Sequence, residues 1–200
     1  MSALLTAPPR WNYGQIRTIS EKFLKEHNPK LLTPIPIEEI AELELSIKLN
    51  SVKDLRKEFD IDGFIHSNFK EITIDDHVFN MYEERTRFTI AHEIGHAILH
   101  RKIYEQFEID SKEKYRKFQN IIPEKDQKWL EIQANIFAGC VLVPTKPLKK
   151  LAKEMLNNDS SIQTDYSIPY FKELPNLFKV SSAVILRRLQ RENIVKEKLY

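Results

Sequence analysis

The feature that most constrains the fold is an apolar stretch from Arg87 to His100, which contains the pattern His92-Glu93-x-x-His96. Because an α-helix turns once in 3.6 residues, His92 and His96 lie one turn apart on the same face, and both imidazoles can reach one ion. Glu93 lies about 100° further around the helix. That position is beside the open site of a metal, where a general base is needed. The spacing predicts a zinc-hydrolase helix with His92 and His96 as ligands and Glu93 as the catalytic glutamate.

The residues around this pattern make the helix apolar on almost every side, which is typical of a helix buried all round. Histidine and glutamate side chains inside such a helix need partners, because an unpartnered buried polar group is costly. We interpret the partner as a metal ion. The alternative is a pair of hydrogen-bonded core histidines.

Catalytic zinc usually has three protein ligands and a water. His100 follows His92 by eight residues, about 12 Å along a helix axis, and zinc–nitrogen bonds of about 2 Å do not bridge that distance. We therefore expect His100 at the helix end or behind the ligands. The better candidate for the third ligand is Glu131, in a second apolar segment from Trp129 to Leu142.

Glu131 is the only carboxylate of this second segment, which is predicted to be a helix capped by Asp126. Glu131 shares its face with the small or amide side chains of Ala134, Asn135 and Ala138. Gly95 lies between the two histidines, so two backbones can approach closely there. Asn135 is expected to hydrogen-bond Glu131 and orient it. The alternative is that Glu131 is an ordinary charge on a solvated helix face.

These two segments, with Val-Leu-Val-Pro144 after the second, resemble the ImmA/IrrE family of zinc metallopeptidases. The resemblance runs from about Ile16 to Ile194 and is strongest over 85–144. It implies an endopeptidase that holds one zinc ion through His92, His96 and Glu131 and uses Glu93 as its catalytic glutamate.

The known members of this family are soluble prokaryotic or phage-encoded proteases that act on helix-turn-helix repressors. The resemblance therefore implies a repressor-type protein substrate. The chain departs from many relatives at position 133, where they carry a second glutamate and this chain has Gln133. The departure favours Glu131 as the ligand and leaves the role of a second glutamate open.

The amino-acid composition indicates the class of protein and the cellular compartment in which it is expected. The chain has 200 residues, of which 42% are hydrophobic and 30% charged, as expected for a soluble globular protein of one domain or one domain with a small appendage. Its single cysteine, Cys140, excludes an internal disulfide framework and favours a reducing cytosol. We find neither a signal peptide nor an apolar window long enough for a membrane span, so a cytoplasmic location without membrane contact is expected.

The remaining pattern predicts an α+β fold that is mostly helical. Helical spacing appears over Ile16–His27 and Ile37–Leu43, and strand-like runs appear over Leu45–Leu49, Gly63–His66 and Glu71–Ile74. The three runs predict a small antiparallel β-sheet beside the two-helix zinc site.

Several polar residues have alternative interpretations. Arg85 and Arg87 precede the zinc helix and either face the cleft, where a cation stabilises an oxyanion, or are plain solvated charges. The charged segment 101–125 forms either a helix or a lid, and Tyr104 or Tyr115 would supply a phenol to the oxyanion. The other two histidines considered, His66 and His77, are expected in exposed loops at strand ends.

The composition changes after Pro144. Residues 146–200 carry eleven basic and six acidic side chains, a net charge of +5. We therefore divide the chain into a zinc metallopeptidase domain, 1–145, and a basic helical extension, 146–200, packed on it. The extension is predicted to contain a helix over Leu148–Leu156, a polar loop over Asn157–Tyr166 and a helix-turn-helix-like segment over Phe178–Leu189, its last helix capped by Ser181.

The arginines Arg187, Arg188 and Arg191 of this last helix could contact phosphate, so DNA contact is one role for the extension, and packing or partner docking is the favoured one. The function predicted for the whole chain is a zinc-dependent endopeptidase that cleaves a cytoplasmic partner protein. The alternative is a non-catalytic regulatory or DNA-binding protein with a structural zinc site.

Overall fold

The computed structural model describes residues 7–157 and 173–195. The strands are β1 (Lys48–Val52), β2 (Gly63–Ile65) and β3 (Glu71–Asp75). The helices are α1 (Tyr13–His27), α2 (Ile37–Glu39) with a π-helical continuation (Ile40–Glu44), α3 (Leu55–Phe59), α4 (Asp76–Met81), α5 (Glu83–Leu99), α6 (Arg101–Tyr104), α7 (Lys112–Ile121), α8 (Glu124–Leu142), α9 (Thr145–Asn157), α10 (Leu174–Phe178) and α11 (Ser182–Arg191). The predicted class, α+β and mostly helical, is confirmed.

The sheet has the strand order β1-β3-β2 and is mixed. Strand β3 pairs antiparallel with β2, from Gly63 opposite Ile74 to Ile65 opposite Ile72. It pairs parallel with β1, so the prediction of a wholly antiparallel sheet was wrong for this pair. The cause is α3, which carries the chain from β1 across to the far side of β3. Asp54 and Asp60, both with left-handed backbones, flank this short helix.

The core of the molecule is the pair α5 and α8. Ile90, Ala91 and Ile94 of α5 and Phe137 of α8 are fully buried. Helix α1 packs on α8, and the sheet lies against α5 through β2. Within the described residues, no helix combines the length and the apolar character that crossing a membrane requires.

Helix α8 begins earlier than expected. It starts at Glu124 after Pro123, so Asp126 is not its N-cap and lies in the first turn instead. The Asp126 carboxylate accepts a hydrogen bond from Arg10 at 2.7 Å. An acidic side chain in a first turn is favourable for the helix dipole even without capping the helix.

The C-terminal part joins the rest through α11, whose N-cap is Ser181 as expected, although its side chain makes no capping bond. Arg188 of α11 is buried and donates to the carbonyl of Val143 at the end of α8. The predicted polar loop over 157–166 lies outside the described residues apart from Asn157, the last residue of α9. The division at residue 145 stays a prediction.

Candidate metal centre

Two helices bring three potential ligands to one point. From α5, the Nε2 atoms of His92 and His96 lie 3.0 Å apart. From α8, the Glu131 carboxylate places Oε2 at 3.1 Å from the first of these nitrogens and Oε1 at 3.5 Å from the second. One ligand atom from each residue lies within 4.8 Å of the others, so the three residues form a group that could hold a metal ion.

The close approach of α5 and α8 depends on Gly95, between the two histidines. A Cβ atom at this position would lie 3.1 Å from Cδ1 of Phe137 and 3.4 Å from Cα of Ala134. Both distances are at or inside the limit of ordinary contact, so a glycine is what allows the two backbones to be this close. Without that approach the short Glu131 side chain would not reach both imidazoles.

The outer ring nitrogens of the two histidines are also held. Nδ1 of His92 lies 3.1 Å from Oδ1 of Asn135 on α8. Nδ1 of His96 lies 3.1 Å from Nδ1 of His100, which is the C-cap of α5. The sequence suggested Glu131 as the hydrogen-bond partner of Asn135, whereas in the structure the Asn135 amide contacts His92. Hydrogen bonds of this kind orient metal-binding imidazoles.

Glu93 points away from the ligands' shared face and toward the sheet. Its Oε2 accepts a hydrogen bond of 2.8 Å from the backbone N–H of Ile65, in β2. Strand β2 can come this close because of Gly63, where a Cβ atom would lie 2.8 Å from Cγ2 of Thr89 on α5. The sequence contains no signal for this contact, because the donor is a backbone group of a residue 28 positions away.

The ionisation of the site follows from burial and from its own charges. Burial raises the pKa of Glu93. Burial alone would raise the pKa of Glu131 too, but the facing imidazoles of His96 and His92 outweigh it and hold this pKa well below its usual range. Burial disfavours the His92 imidazolium, but Glu131 prevails and raises the pKa of His92 to about 9. The group thus stabilises positive charge at the point where the ligand atoms meet, as a cation site must.

Of the two arginines before the site, neither faces it. Arg87 is buried and donates to the Ile35 carbonyl at 2.6 Å, to the Lys179 carbonyl at 3.3 Å and to Glu38 at 2.9 Å. Arg85 pairs with Asp62. For Arg87 both interpretations were wrong, because its buried guanidinium ties α5 to Ile35, Glu38 and Lys179. Arg85 is an exposed charge, as the second interpretation had it.

The segment between α5 and α8 forms helices α6 and α7, so the helical interpretation of 101–125 holds. Tyr104 and Tyr115 are both buried, and the Tyr104 ring centroid lies 5.3 Å from that of His96. His77 is exposed, as expected, but it lies in α4 rather than in a loop. His66 is not: it is buried, stacks on Phe64, and bonds Oγ1 of Thr73 at 2.8 Å.

A groove of about 1170 Å³ lies between α8 and α11 and reaches the metal-site side of α5. The wall of the groove includes Phe88 and also Asn135, which contacts His92. The exposed side chains of Arg187 and Arg191 line its α11 side. The third arginine, Arg188, is buried and paired with Glu192, so it is not free for phosphate and it packs within the molecule instead.

A small sheet beside two long helices, which bring together two histidines, the partly exposed carboxylate of Glu131 and the buried Glu93, is typical of a metallopeptidase-like protein. The chain belongs to the peptidase M78 family, described as the IrrE N-terminal-like domain, whose family model matches residues 47–190. Membership supports a metallopeptidase-like or regulator-related function.

Among solved structures, the chain is similar to a Mycobacterium tuberculosis transcriptional regulator, with a TM-score of 0.55 and 16% sequence identity. The match covers 88% of this chain and 46% of that one, so this chain spans less than half the length of that regulator. At this identity the likeness concerns the fold alone. No curated protein matches significantly.

Proposed function

We propose that this protein is a zinc-dependent endopeptidase that cleaves a cytoplasmic partner protein, a helix-turn-helix repressor. The observation that carries the proposal is the meeting of His92, His96 and Glu131 within 4.8 Å of one another, with Glu93 on the same helix as the two histidines. Two imidazoles and one carboxylate are a ligand set of catalytic zinc sites.

The geometry supports a catalytic rather than a structural ion. Structural zinc is usually enclosed by four protein ligands, and catalytic zinc keeps a position open. Among the described residues, the group contains three ligand side chains. The Glu131 side chain is 41% exposed, so the group opens toward solvent on that side. This opening supports access for water and for a peptide.

The residues fit the ion because the two Nε2 atoms and the carboxylate face a common point while the outer nitrogens are engaged by Asn135 and His100. A bound Zn²⁺ would supply Lewis acidity, which polarises a peptide carbonyl and lowers the pKa of a water in the open position.

Glu93 would act as the proton carrier. The Ile65 N–H holds one carboxylate oxygen, Oε2, which would leave the other oxygen, Oε1, to take the proton from a water. Burial raises the pKa of this carboxyl, which suits a group that takes a proton from water and then returns it to the departing amine. The substrate segment would lie in the α8–α11 groove, which shares Asn135 with the metal group.

The repressor substrate is inferred from the family resemblance, and the transcriptional regulator among the similar structures is compatible with a regulatory context. The cytoplasmic location rests on the single cysteine, which is free and buried. The second candidate is a regulatory protein with a non-catalytic zinc ion, and the exposed arginines of α11 favour it.

The variant Glu93→Gln tests the proposal. Glutamine keeps the hydrogen bond from Ile65 but cannot carry the proton, so zinc content should stay at one ion per chain while cleavage of a co-encoded repressor stops. Glu84→Gln, an exposed change in the first turn of the same helix, is the matched control and should cleave normally. Cleavage by Glu93→Gln at the wild-type rate would refute the role of Glu93. An unchanged cellular effect of this variant would favour the non-catalytic candidate.

A further inference from the structure

His96 is held from both sides of its ring. Toward the metal group, its Nε2 lies 3.0 Å from that of His92 and 3.5 Å from the carboxylate of Glu131. On the opposite side, its Nδ1 lies 3.1 Å from Nδ1 of His100. His96 and His100 are each 1% exposed, so water does not compete for the contact between their rings.

The nitrogens that meet fix how the protons must be arranged. A neutral imidazole has one N–H and one lone pair. If Nε2 of His96 is to bind a metal, it must carry the lone pair, and its proton is then on Nδ1. Since that proton points at Nδ1 of His100, His100 must accept there and carry its own proton on Nε2.

The far nitrogen of His100 then needs an acceptor, and one is nearby. Nε2 of His100 is buried and has no hydrogen-bond partner in the part of the chain that the structure describes. The same holds for both amide atoms of Gln133, which is fully buried on α8 and close enough to act on the His100 ring. A small rotation of this amide would let Oε1 accept the His100 proton and satisfy both groups.

We infer that His100 and Gln133 are positioning residues that form a hydrogen-bond relay behind His96, with His96 donating to His100 and His100 donating to Gln133. The relay holds the His96 lone pair toward the metal. This inference rests on the proposed metal centre and adds two residues to it. The competing explanation is that His100 merely fills space, because its ring also packs on the His96 ring at 5.1 Å between centroids.

Two substitutions at position 100 separate these explanations. His100→Phe keeps an aromatic ring but removes the acceptor, whereas His100→Asn loses the ring but keeps an oxygen near the position of Nδ1. Since changes in such supporting hydrogen bonds typically weaken metal binding 10- to 100-fold, we expect the zinc dissociation constant of His100→Phe to rise by roughly that factor. His100→Asn should stay within about threefold of wild type. The measurement is zinc competition against a chromophoric chelator.

Equal zinc affinity of His100→Phe and wild type would overturn the relay. So would equal losses in the two variants, because packing alone would then explain them. Circular dichroism of each metal-free variant checks the fold. Should His100→Phe not fold, Gln133→Met tests the same relay from α8: it keeps the size of the side chain, and zinc binding should weaken about tenfold. Gln127→Met, on the first turns of the same helix, is its control.

A measurement on the unaltered protein tests the proton arrangement directly. In ¹⁵N-resolved NMR spectra of the zinc-loaded chain, we expect His96 to be protonated at Nδ1 and His100 at Nε2. A His100 ring protonated at Nδ1 would overturn the inference. Wild-type protein that binds no zinc would refute the proposed metal centre itself, whereas one bound zinc with unchanged affinity in His100→Phe would refute the relay alone.

Discussion

At the scale of single residues, the environment of each side chain decides its protonation. His92 lies within α5 and His100 caps its end, yet burial and the nearby His96 lower the pKa of His100 to about 2, whereas Glu131 raises the pKa of His92 to about 9. The two pKa values differ because His92 is in contact with the carboxylate of Glu131 and His100 is not. Glu131 is therefore the residue on which the charge of the whole group depends.

Removal of this carboxylate should release the metal. Glu131→Ala leaves two imidazoles, too few protein ligands for a catalytic zinc site. We expect the zinc content after dialysis to fall from one ion per chain to near zero, measured by elemental analysis. The control is Glu124→Ala, an exposed carboxylate in the first turn of the same helix, which should keep its zinc. Full zinc occupancy in Glu131→Ala would mean that the third ligand has been misassigned.

At the scale of secondary-structure elements, two glycines determine how closely α8 and β2 can pack against α5. Gly95 allows the close approach of α8, which carries Glu131, and Gly63 allows that of β2, which carries the N–H that holds Glu93. The second approach is the tighter one, because a Cβ atom at Gly63 would lie 2.8 Å from Cγ2 of Thr89 on α5. The same atom would lie 2.9 Å from the carbonyl oxygen of Thr73 on the paired strand β3, a backbone atom that cannot rotate away.

Gly63→Ala should therefore destabilise the protein and misplace Glu93. Overpacking of a tight core position costs about 1–3 kcal/mol, and we expect a loss of this size in the free energy of unfolding measured with urea. Gly14→Ala is the matched control, since its nearest atom would be Oδ1 of Asn12 at 3.4 Å, near the start of α1. Alanine favours helix, so this control should be neutral or slightly stabilising. Unchanged stability in Gly63→Ala would contradict the close approach of β2 to α5.

The groove between α8 and α11 is the element-scale feature that concerns substrate. Its exposed arginines would attract acidic side chains of a bound segment. Arg187→Glu should raise the KM for the protein substrate by roughly tenfold and leave kcat and zinc content unchanged, because a rim charge acts on association rather than on chemistry. The control is Lys153→Glu, an exposed charge reversal on α9. Equal effects of the two reversals would show that overall charge, not the groove, matters.

At the scale of the whole molecule, a buried ionic cluster ties the two ends of the described chain together. Glu192, just after α11, accepts a hydrogen bond of 2.6 Å from the Tyr13 hydroxyl of α1 and pairs with Arg188 at 3.1 Å. It also pairs with Lys149 of α9 at 3.0 Å. Burial alone would raise the pKa of Glu192, but the Tyr13, Lys149 and Arg188 side chains lower it to about 2.

This lowered pKa makes stability depend on pH. The pKa of the Glu192 carboxyl is about 2 in the folded protein and about 4.3 in the unfolded chain. Its contribution to the free energy of unfolding is therefore fully present above the unfolded-state pKa. The contribution is lost as the pH falls from that value through about 2. We expect Glu192→Gln to lower the free energy of unfolding at pH 7 by roughly 3 kcal/mol, since it leaves Arg188 buried without its counter-charge.

The measurement is urea unfolding of wild type and variant at pH 7 and pH 3. The gap between them should narrow at pH 3, where the unfolded carboxyl of the wild type is mostly protonated. Glu21→Gln, an exposed change on α1, is the control and should leave both values within experimental error. A gap that is the same at both pH values would contradict the role of Glu192 as a buried anion.

The outcome at particular residues shows how far sequence reasoning extends. Helix α5 was predicted from its pattern, and His92 and His96 share a face as that pattern requires. The parallel pairing of β1 was missed, because α3 is only five residues long and its sequence resembles a loop. For Arg188 the sequence left phosphate contact and packing open, since nothing near it in sequence reveals that Val143 and Tyr13 surround it.

The sequence by itself determined what depends on neighbours within a turn or two: that α5 and α8 are helices, which face of α5 carries the histidines, and that the chain resembles its family. Only the tertiary structure decided that Glu131 reaches both imidazoles, that Asn135 holds His92, and that a strand backbone holds Glu93. The physical reason is the separation along the chain of the residues that are in contact. Helical periodicity is a local property of the backbone, whereas these contacts join residues 28 to 43 positions apart and exist because small residues let separate elements pack closely.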